Sequence, residues 1–190
     1  MMAEAVGSSI LRAISDMREF LGQVSSLIRT AEDSLLAEGW ESNTGNRCID
    51  IKNHISMPNE WMPHEIYRFY TNIEKHGGMV LFLGVLLDLG EKSDLFTEPW
   101  VTCGIFQFAD KQTAQNHKDI EWVWASLDDK YDPDGTFSRS NIDPEEQEEY
   151  GGLIYQSFMA IPLIDINDAN DIKNKIIDPL IKEIKETNAD

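Results

Sequence analysis

The sequence predicts an α+β fold in which an antiparallel sheet of three or more strands is covered by a long N-terminal helix and a C-terminal helix. Three patterns support this fold class. Apolar residues recur at helical spacing near the start of the chain, apolar runs of strand length occupy its middle, and apolar residues recur at steps of four near its end. Because no repeat or flexible linker interrupts the pattern, residues 1–190 are interpreted as a single α+β domain.

The first predicted helix extends from Ser9 to Glu38 and carries one apolar stripe. Ser8 or Ser9 is a favourable N-cap, and Gly39 is a favourable stop. The stripe alternates steps of four and three and is wider than a coiled-coil seam, so we expect the helix to lie on the sheet. The stripe is also long enough to be shared between two copies. It predicts a homodimer through Ile10, Ile14, Met17, Leu21, Val24 and Ile28.

The region after this helix has a weaker pattern. Residues 40–63 are rich in turn formers and predict a loop, with one short strand near residues 47–51. From Glu65 to Lys75, apolar residues return at helical spacing, preceded by Pro63 and followed by Gly77 and Gly78. This segment is therefore predicted to be a second helix.

Two long apolar segments predict the centre of the sheet. Met79–Leu89 is apolar on both faces, which is typical of a central strand covered on both sides. Trp100–Phe108 predicts a second strand, antiparallel to the first. Gly84 and Gly104 lie within these strands, where a glycine often marks a bulge or a close approach of another element.

The pattern between residues 111 and 152 is less regular. Lys111–His117 predicts the start of a helix, and Ile120–Leu127 fits either a helix or a strand. Asp128–Asn141 is predicted to be a loop with a strong turn. Asp143, which precedes a proline, predicts a short acidic helix that ends at two consecutive glycines.

The last part of the chain predicts a strand and then a helix. Leu153–Asp165 is the third main strand, and Pro162 places its end at a sheet edge or a bulge because proline has no N–H for a ladder. The final helix is predicted to begin near Asp168, capped by Asn167. Pro179 should kink this helix or divide it in two.

The formal net charge is −18, from 34 acidic and 16 basic residues. This charge disfavours direct binding to nucleic acid and to anionic membranes, since both need clustered Lys and Arg. It favours a basic protein partner, although high charge also serves solubility alone. The two cysteines are too few and too far apart for a disulfide framework, which indicates reduced thiols and a cytoplasmic location.

Motifs for metal or nucleophilic chemistry fail at the positions that the chemistry requires. Lys130–Asn141 has Asp132, Asp134 and Gly135 at calcium-loop offsets, but its first and twelfth positions are not acidic. No two His or Cys residues have the spacing of a zinc motif, and the HExxH and G-x-S-x-G motifs are absent. The sequence therefore predicts no metal and no cofactor.

Negative charge concentrates between Asp119 and Tyr150, where eleven acidic residues face two basic ones, a net of −9. Aromatic residues lie among these acids, as in many recognition surfaces. The alternative is that the two tryptophans belong to the core and the carboxylates solvate its edge. The predicted partner-binding residues are Asp119, Glu121, Trp122, Trp124, Asp128, Asp129, Asp132, Asp134, Glu145, Glu146, Glu148 and Glu149.

The favoured hypothesis is therefore a non-enzymatic intracellular module that binds a basic protein partner. An inhibitor, an immunity protein, a chaperone or a nucleic-acid mimic would all fit this description. The alternative is a metal-dependent hydrolase or nuclease that uses carboxylates at strand ends. Asp88, Asp110 and either Glu32 or Glu38 are its candidate ligands.

Overall fold

The structure, a computed structural model, describes residues 2–43, 63, 65–87, 98–115 and 135–187. Its first elements are α1 (Met2–Ala37), β1 (Glu41–Ser42), β2 (Glu65–Thr71), β3 (Met79–Leu86), β4 (Trp100–Phe108), α2 (Lys111–Gln115), β5 (Ser138–Asn141), α3 (Pro144–Gln147) and β6 (Leu153–Pro162). A 3₁₀ turn (Leu163–Asp165) then leads to the C-terminal helix. This helix consists of α4 (Ala169–Asp171), a π-helical segment (Ile172–Ile177) and α5 (Asp178–Thr187).

Within the described residues, six strands form one antiparallel sheet in the order β1-β2-β3-β4-β6-β5. β3 and β4 lie at its centre, with Leu83 opposite Cys103. The predicted α+β class is confirmed, as are the three main strands and the antiparallel pairing of the first two. Leu83 and its neighbours in β3 are all buried, as the two apolar faces of this strand predict.

α1 and the C-terminal helix cover one face of the sheet. Val24, Ile28 and Leu35 of α1 join Ile176 and Leu180 of the C-terminal helix in one buried cluster with the strands. α2 and α3 lie near the opposite face. There Phe82, Phe106 and Phe158 pack together with ring centroids 5.3 to 5.5 Å apart. The large first cluster accounts for most of the apolar burial that stabilises the fold.

Gly104 is the close-approach glycine that the sequence predicts. A Cβ at this position would lie 2.0 Å from the carbonyl oxygen of Ser157 and 2.6 Å from the ring of Phe82. Neither atom can retreat easily, because one is backbone and the other belongs to the packed aromatic cluster. The missing side chain at Gly104 therefore allows β4 to pack against β6 and Phe82.

α1 begins at Met2 rather than at the predicted cap, Ser8 or Ser9, and ends close to the predicted stop. Gly39 has a φ of +87°, and its N–H donates to the carbonyl of Leu36. The N–H of Trp40 donates to the carbonyl of Leu35, and both side chains are buried in the same cluster. This is a Schellman motif, in which the left-handed glycine lets the chain turn back onto the core.

The two halves of α1 differ in burial although they share one stripe. Val24 and Ile28 are 2% and 3% exposed, whereas Ile10, Ile14 and Met17 are 55%, 43% and 38% exposed. Val24 and Ile28 are therefore wrong as members of a dimer surface, because the core of their own chain covers them. Leu21, which is partly buried, lies at the transition.

β2 contradicts the predicted helix over Glu65–Lys75. It pairs with β3 along its whole length, from Glu65 opposite Leu86 to Thr71 opposite Val80. Ile66 and Tyr70 face the helices, and Phe69 faces the aromatic cluster. This alternation is the strand period of two. The aromatic residues that mimic helical spacing here are also favourable strand residues.

Three smaller predictions change at element boundaries. β5 lies inside the predicted loop Asp128–Asn141, because it completes the sheet beside β6. The N-cap of the C-terminal helix is Asp168 rather than Asn167, since the Asp168 carboxylate accepts from the N–H groups of Asn170 and Asp171. Pro179 does not divide the final helix: residues 169–187 are helical throughout, and the helix type changes from π to α at Asp178.

Some predicted elements lie outside the described residues. They are the short strand near residues 47–51, the ambiguous segment 120–127 and the turn at residues 132–134. None of the described helices is long and apolar enough to cross a membrane.

Candidate functional site

The described part of the predicted acidic surface is the acidic turn, which we define as Asp143–Tyr150. It connects β5 to β6, and the sequence predicts both its start at Asp143 and its end at the two glycines. The N–H groups of Glu146 and Gln147 donate to the carbonyl of Asp143 at 2.8 and 3.1 Å. The N–H of Tyr150 donates to the carbonyl of Glu146 at 3.1 Å. These bonds fix one compact helical turn that leads into the start of β6.

Contacts on both sides anchor the acidic turn to the sheet. Ile142, just before it, is buried and donates its N–H to the carbonyl of Ile154. The Gln147 side-chain amide donates to the Ile142 carbonyl at 3.0 Å, and Leu153 is fully buried just after the turn. The backbone of the turn is therefore held by the body of the protein, and its acidic side chains project outward.

Five of the eight residues in the acidic turn are acidic and none is basic. All five carboxylate side chains are exposed, and among the described residues none of them takes part in an ion pair. They are Asp143, Glu145, Glu146, Glu148 and Glu149. The structure thus brings together four of the residues predicted to bind a partner, at one end of the sheet.

The other eight predicted partner-binding residues lie outside the described residues. They are Asp119, Glu121, Trp122, Trp124, Asp128, Asp129, Asp132 and Asp134.

A second charged group lies beneath the C-terminal helix, and sequence reasoning did not find it. Glu183 is 2% exposed and accepts from the Arg139 guanidinium with both carboxylate oxygens. The Ser157 and Tyr155 hydroxyls donate to it at 2.8 and 3.0 Å. Arg139 also pairs with Glu186 at 2.6 Å. The one sequence signal is that Glu183 directly precedes Ile184 and follows Leu180 by three, which places an acid on an apolar helix face.

The hydrogen bonds of this cluster favour the charged forms of Glu183 and Arg139. Burial alone would raise the pKa of the Glu183 carboxyl, but the bonds from Arg139, Ser157 and Tyr155 outweigh it and the pKa is lowered. The hydrogen bond to Glu183 raises the pKa of Arg139. Burial raises the pKa of Tyr155. The ion pair of Arg139 and Glu183, together with the hydrogen bonds from Tyr155 and Ser157, therefore connects α5 to β5 and β6.

Ser157 and Cys103 have no nucleophilic role in this arrangement. The Ser157 hydroxyl is buried and donates its hydrogen bond to the Glu183 carboxylate, which also accepts from Arg139. Cys103 is buried in the centre of the sheet, and burial raises the pKa of its thiol to about 12. A thiol with that pKa is protonated at neutral pH, so it is a poor nucleophile.

The candidate ligands of the metal-dependent alternative are dispersed where the structure describes them. Glu32 forms an ion pair with Arg68 at 3.0 Å, and Asp110 accepts from the N–H of Gln112 at 3.1 Å. The last residue of β3, Leu86, lies opposite the first residue of β4. The end of β3 and the end of β4, which precedes Asp110, therefore lie at opposite ends of the sheet, and Asp88 itself lies outside the described residues. No group of three potential metal ligands occurs among the described residues.

A groove of about 910 Å³ lies between α1 and the segment that links β6 to the C-terminal helix. Its lining is mostly apolar, and acidic residues stand at its edge. The apolar residues are Phe20, Val24, Leu27, Leu163, Ile164, Ile166 and Ile172, and the acidic ones are Glu19, Glu98 and Asp168. No sequence pattern indicates this groove, since residues far apart in the chain form its two walls.

The class of protein that fold and site define is an acidic α+β protein with an exposed acidic turn. Comparison of the chain with protein family models, with curated proteins and with solved structures gives no match.

Proposed function

We propose that this chain is a non-enzymatic intracellular module that binds a basic protein partner, with the acidic turn as part of its recognition surface. The supporting observation is a hydrogen-bonded turn that presents five exposed carboxylates, none of them in an ion pair within the described part of the chain. Opposite potentials attract and orient protein partners, and exposed acids of one sign provide such a potential.

The position of Arg139 adds support. It is one of the two basic residues between Asp119 and Tyr150 and is therefore the obvious candidate to neutralise the local acids. Its guanidinium instead binds Glu183 and Glu186 on the C-terminal helix. Within the described part of the chain, the negative charge of the acidic turn is therefore not neutralised and is available to a partner.

Neutralising the acidic turn tests this proposal. The variant carries Gln at Glu145, Glu146, Glu148 and Glu149. With cytochrome c as a basic folded probe, we expect about tenfold weaker binding than for the wild type, because four favourable charges are removed from one place. Fluorescence anisotropy in dilute salt measures the affinity. Raising the salt to about 0.5 M should weaken wild-type binding strongly, since exposed charges are then screened.

A matched control separates the acidic turn from total charge. It removes the same number of negative charges from exposed positions on α1, just after α1 and at the opposite end of the sheet. The substitutions are Asp33→Asn, Glu38→Gln, Glu98→Gln and Asp165→Asn. The control should retain most of the affinity. Equal losses in the two variants would mean that net charge alone binds the probe, and a salt-independent affinity would remove electrostatic recognition altogether.

A further inference from the structure

The N-terminal half of α1, which we define as Met2–Leu21, exposes an apolar face over residues 10–17. Ile10, Leu11, Ile14 and Met17 are 38% to 69% exposed, although they continue the stripe that is buried in the C-terminal half. Twenty helical residues extend about 30 Å. A helix of this length has marginal stability in water without a packing surface, because tertiary burial supplies most helix stability in proteins. We therefore expect another protein surface to bury this apolar face.

The net charge of the N-terminal half of α1 favours a second copy of the chain over a basic protein as the partner that buries this face. The N-terminal half has three acids, Glu4, Asp16 and Glu19, and two bases, Arg12 and Arg18, which gives −1 of the total −18. It thus offers little attraction to a basic protein. For the same reason, two copies can meet here with little of the like-charge repulsion that opposes contact between other parts of their surfaces.

The spacing of the face fits a copy of itself. Ile10, Ile14, Met17 and Leu21 occupy alternating d and a positions of a heptad repeat. In an antiparallel pair, Ile14 of one copy lies opposite Met17 of the other, and Ile10 lies opposite Leu21. The two-fold axis then repeats each of these contacts with the two copies exchanged, as an isologous interface requires.

The groove continues this face. Phe20, which flanks the stripe, and Gly22, one residue after Leu21, both line it. In the antiparallel register, the first turns of one helix lie alongside residues 22–29 of the other and so reach the mouth of its groove. A Cβ at Gly22 would meet nothing within 4 Å, so this part of the groove wall is open to an incoming helix.

We propose that two copies of this chain pair antiparallel through the N-terminal half of α1, and that the first turns of each helix enter the groove of the other copy. This dimer buries the exposed stripe of both chains at once. It does not depend on the acidic turn or on its partner.

Sedimentation velocity of the full chain tests the pairing. The wild type should sediment at twice 21.7 kDa. Ile14→Asp should weaken the dimer at least tenfold, because it places a charge in a central apolar layer. The control is Leu36→Asp, since Leu36 is 55% exposed but lies in the C-terminal half, outside the stripe. It should leave the dimer intact. A monomeric wild type, or equal effects of the two variants, would overturn the proposal.

A second variant separates dimer loss from unfolding. Gly22→Phe adds a bulky side chain at the groove wall, at a position where a Cβ meets nothing within 4 Å in the monomer, and it replaces a helix-destabilising glycine. We expect unchanged or higher resistance of the chain to urea together with at least tenfold weaker dimerisation. A dimer unaffected by Gly22→Phe would show that the groove is not occupied.

A spin-label distance tests the orientation. The label is attached at Ser9→Cys in a Cys48→Ser background, which leaves only the buried Cys103 as another thiol. Position 9 lies opposite position 22 of the other copy in the antiparallel register. The two labels are then about 20 Å apart along the axis, whereas parallel helices would bring them to about 10 Å. The shorter distance would overturn the antiparallel arrangement.

Discussion

The two halves of α1 carry one heptad pattern and have different environments. In the C-terminal half, Ala31 and Leu35 are fully buried against the sheet and the C-terminal helix, whereas Ile10 and Ile14 in the N-terminal half are about half exposed. The comparison shows that a stripe determines which side of a helix is apolar. It does not determine what covers that side, because the cover comes from residues far away in the chain.

Long-range contacts reinforce the difference. In the C-terminal half, Glu32 pairs with Arg68 of β2 at 3.0 Å, and the Schellman motif turns the chain into the core. In the N-terminal half, Arg12 and Asp16 form an exposed pair at 3.8 Å within one helical face. Such a pair contributes only a few tenths of a kcal/mol.

The largest expected effect compares two adjacent leucines of the C-terminal half. Leu35 is fully buried and Leu36 is 55% exposed. Leu35→Ala should reduce the free energy of unfolding by about 3 kcal/mol, because it removes apolar contacts and leaves a cavity. Leu36→Ala should change it by less than about 0.5 kcal/mol. Urea unfolding measures both values, and equal effects would show that α1 does not pack on this face.

The next effect concerns the helix on which the C-terminal half rests. Glu183→Gln should reduce the free energy of unfolding by about 2 kcal/mol, since an amide nitrogen cannot accept from Arg139. The loss is smaller than for a fully buried pair because Arg139 is half exposed and can regain water. Glu186→Gln is the control. Glu186 is half exposed, so this variant should cost a few tenths of a kcal/mol.

The same cluster gives a pH dependence. Folding lowers the pKa of Glu183, so its stabilising contribution is complete above the pKa in the unfolded chain and is lost as the pH falls through the folded pKa. The difference in unfolding free energy between the wild type and Glu183→Gln should therefore shrink from about pH 6 to about pH 3. A constant difference over this range would show that the charge of Glu183 is not what stabilises α5.

The smallest effect lies where the two halves meet. Gly22 is in the middle of α1, and a Cβ there has open space. Gly22→Ala should increase the free energy of unfolding by about 0.5 to 1 kcal/mol, because alanine has the higher helix propensity. Guanidinium unfolding at low protein concentration checks this without a contribution from dimerisation. A loss of stability would mean that Gly22 serves a contact within the monomer.

Much of the fold was predictable because its strongest patterns are local. The continuous apolar runs predict β3, β4 and most of β6, and the stripe predicts α1. The helix predicted over Glu65–Lys75 was wrong, because a short segment with aromatic residues satisfies both helical and strand spacing. Pairing with β3 selects the strand, and that pairing joins residues that local spacing does not relate.

The candidate site was predictable only in part. Composition alone locates the acidic turn and its helical start, and the structure describes its four predicted glutamates as exposed. The cluster of Arg139 and Glu183 was not predictable. Its two charged residues are 44 positions apart, and either one by itself resembles an ordinary surface charge. Its existence explains why one of the few basic residues near the acidic turn does not neutralise it.

By itself, the sequence determined the apolar side of α1, the three main strands, the glycine stop after the first helix and the excess of negative charge. These features depend on side-chain chemistry and on spacing within one or two turns or one strand. Only the tertiary structure decided that Glu65–Thr71 is a strand, that one half of the stripe is buried and the other exposed, and that Glu183 is charged beneath a helix. Each of these outcomes depends on contacts between residues far apart in the chain, which bury or pair groups whose local sequence permits more than one environment.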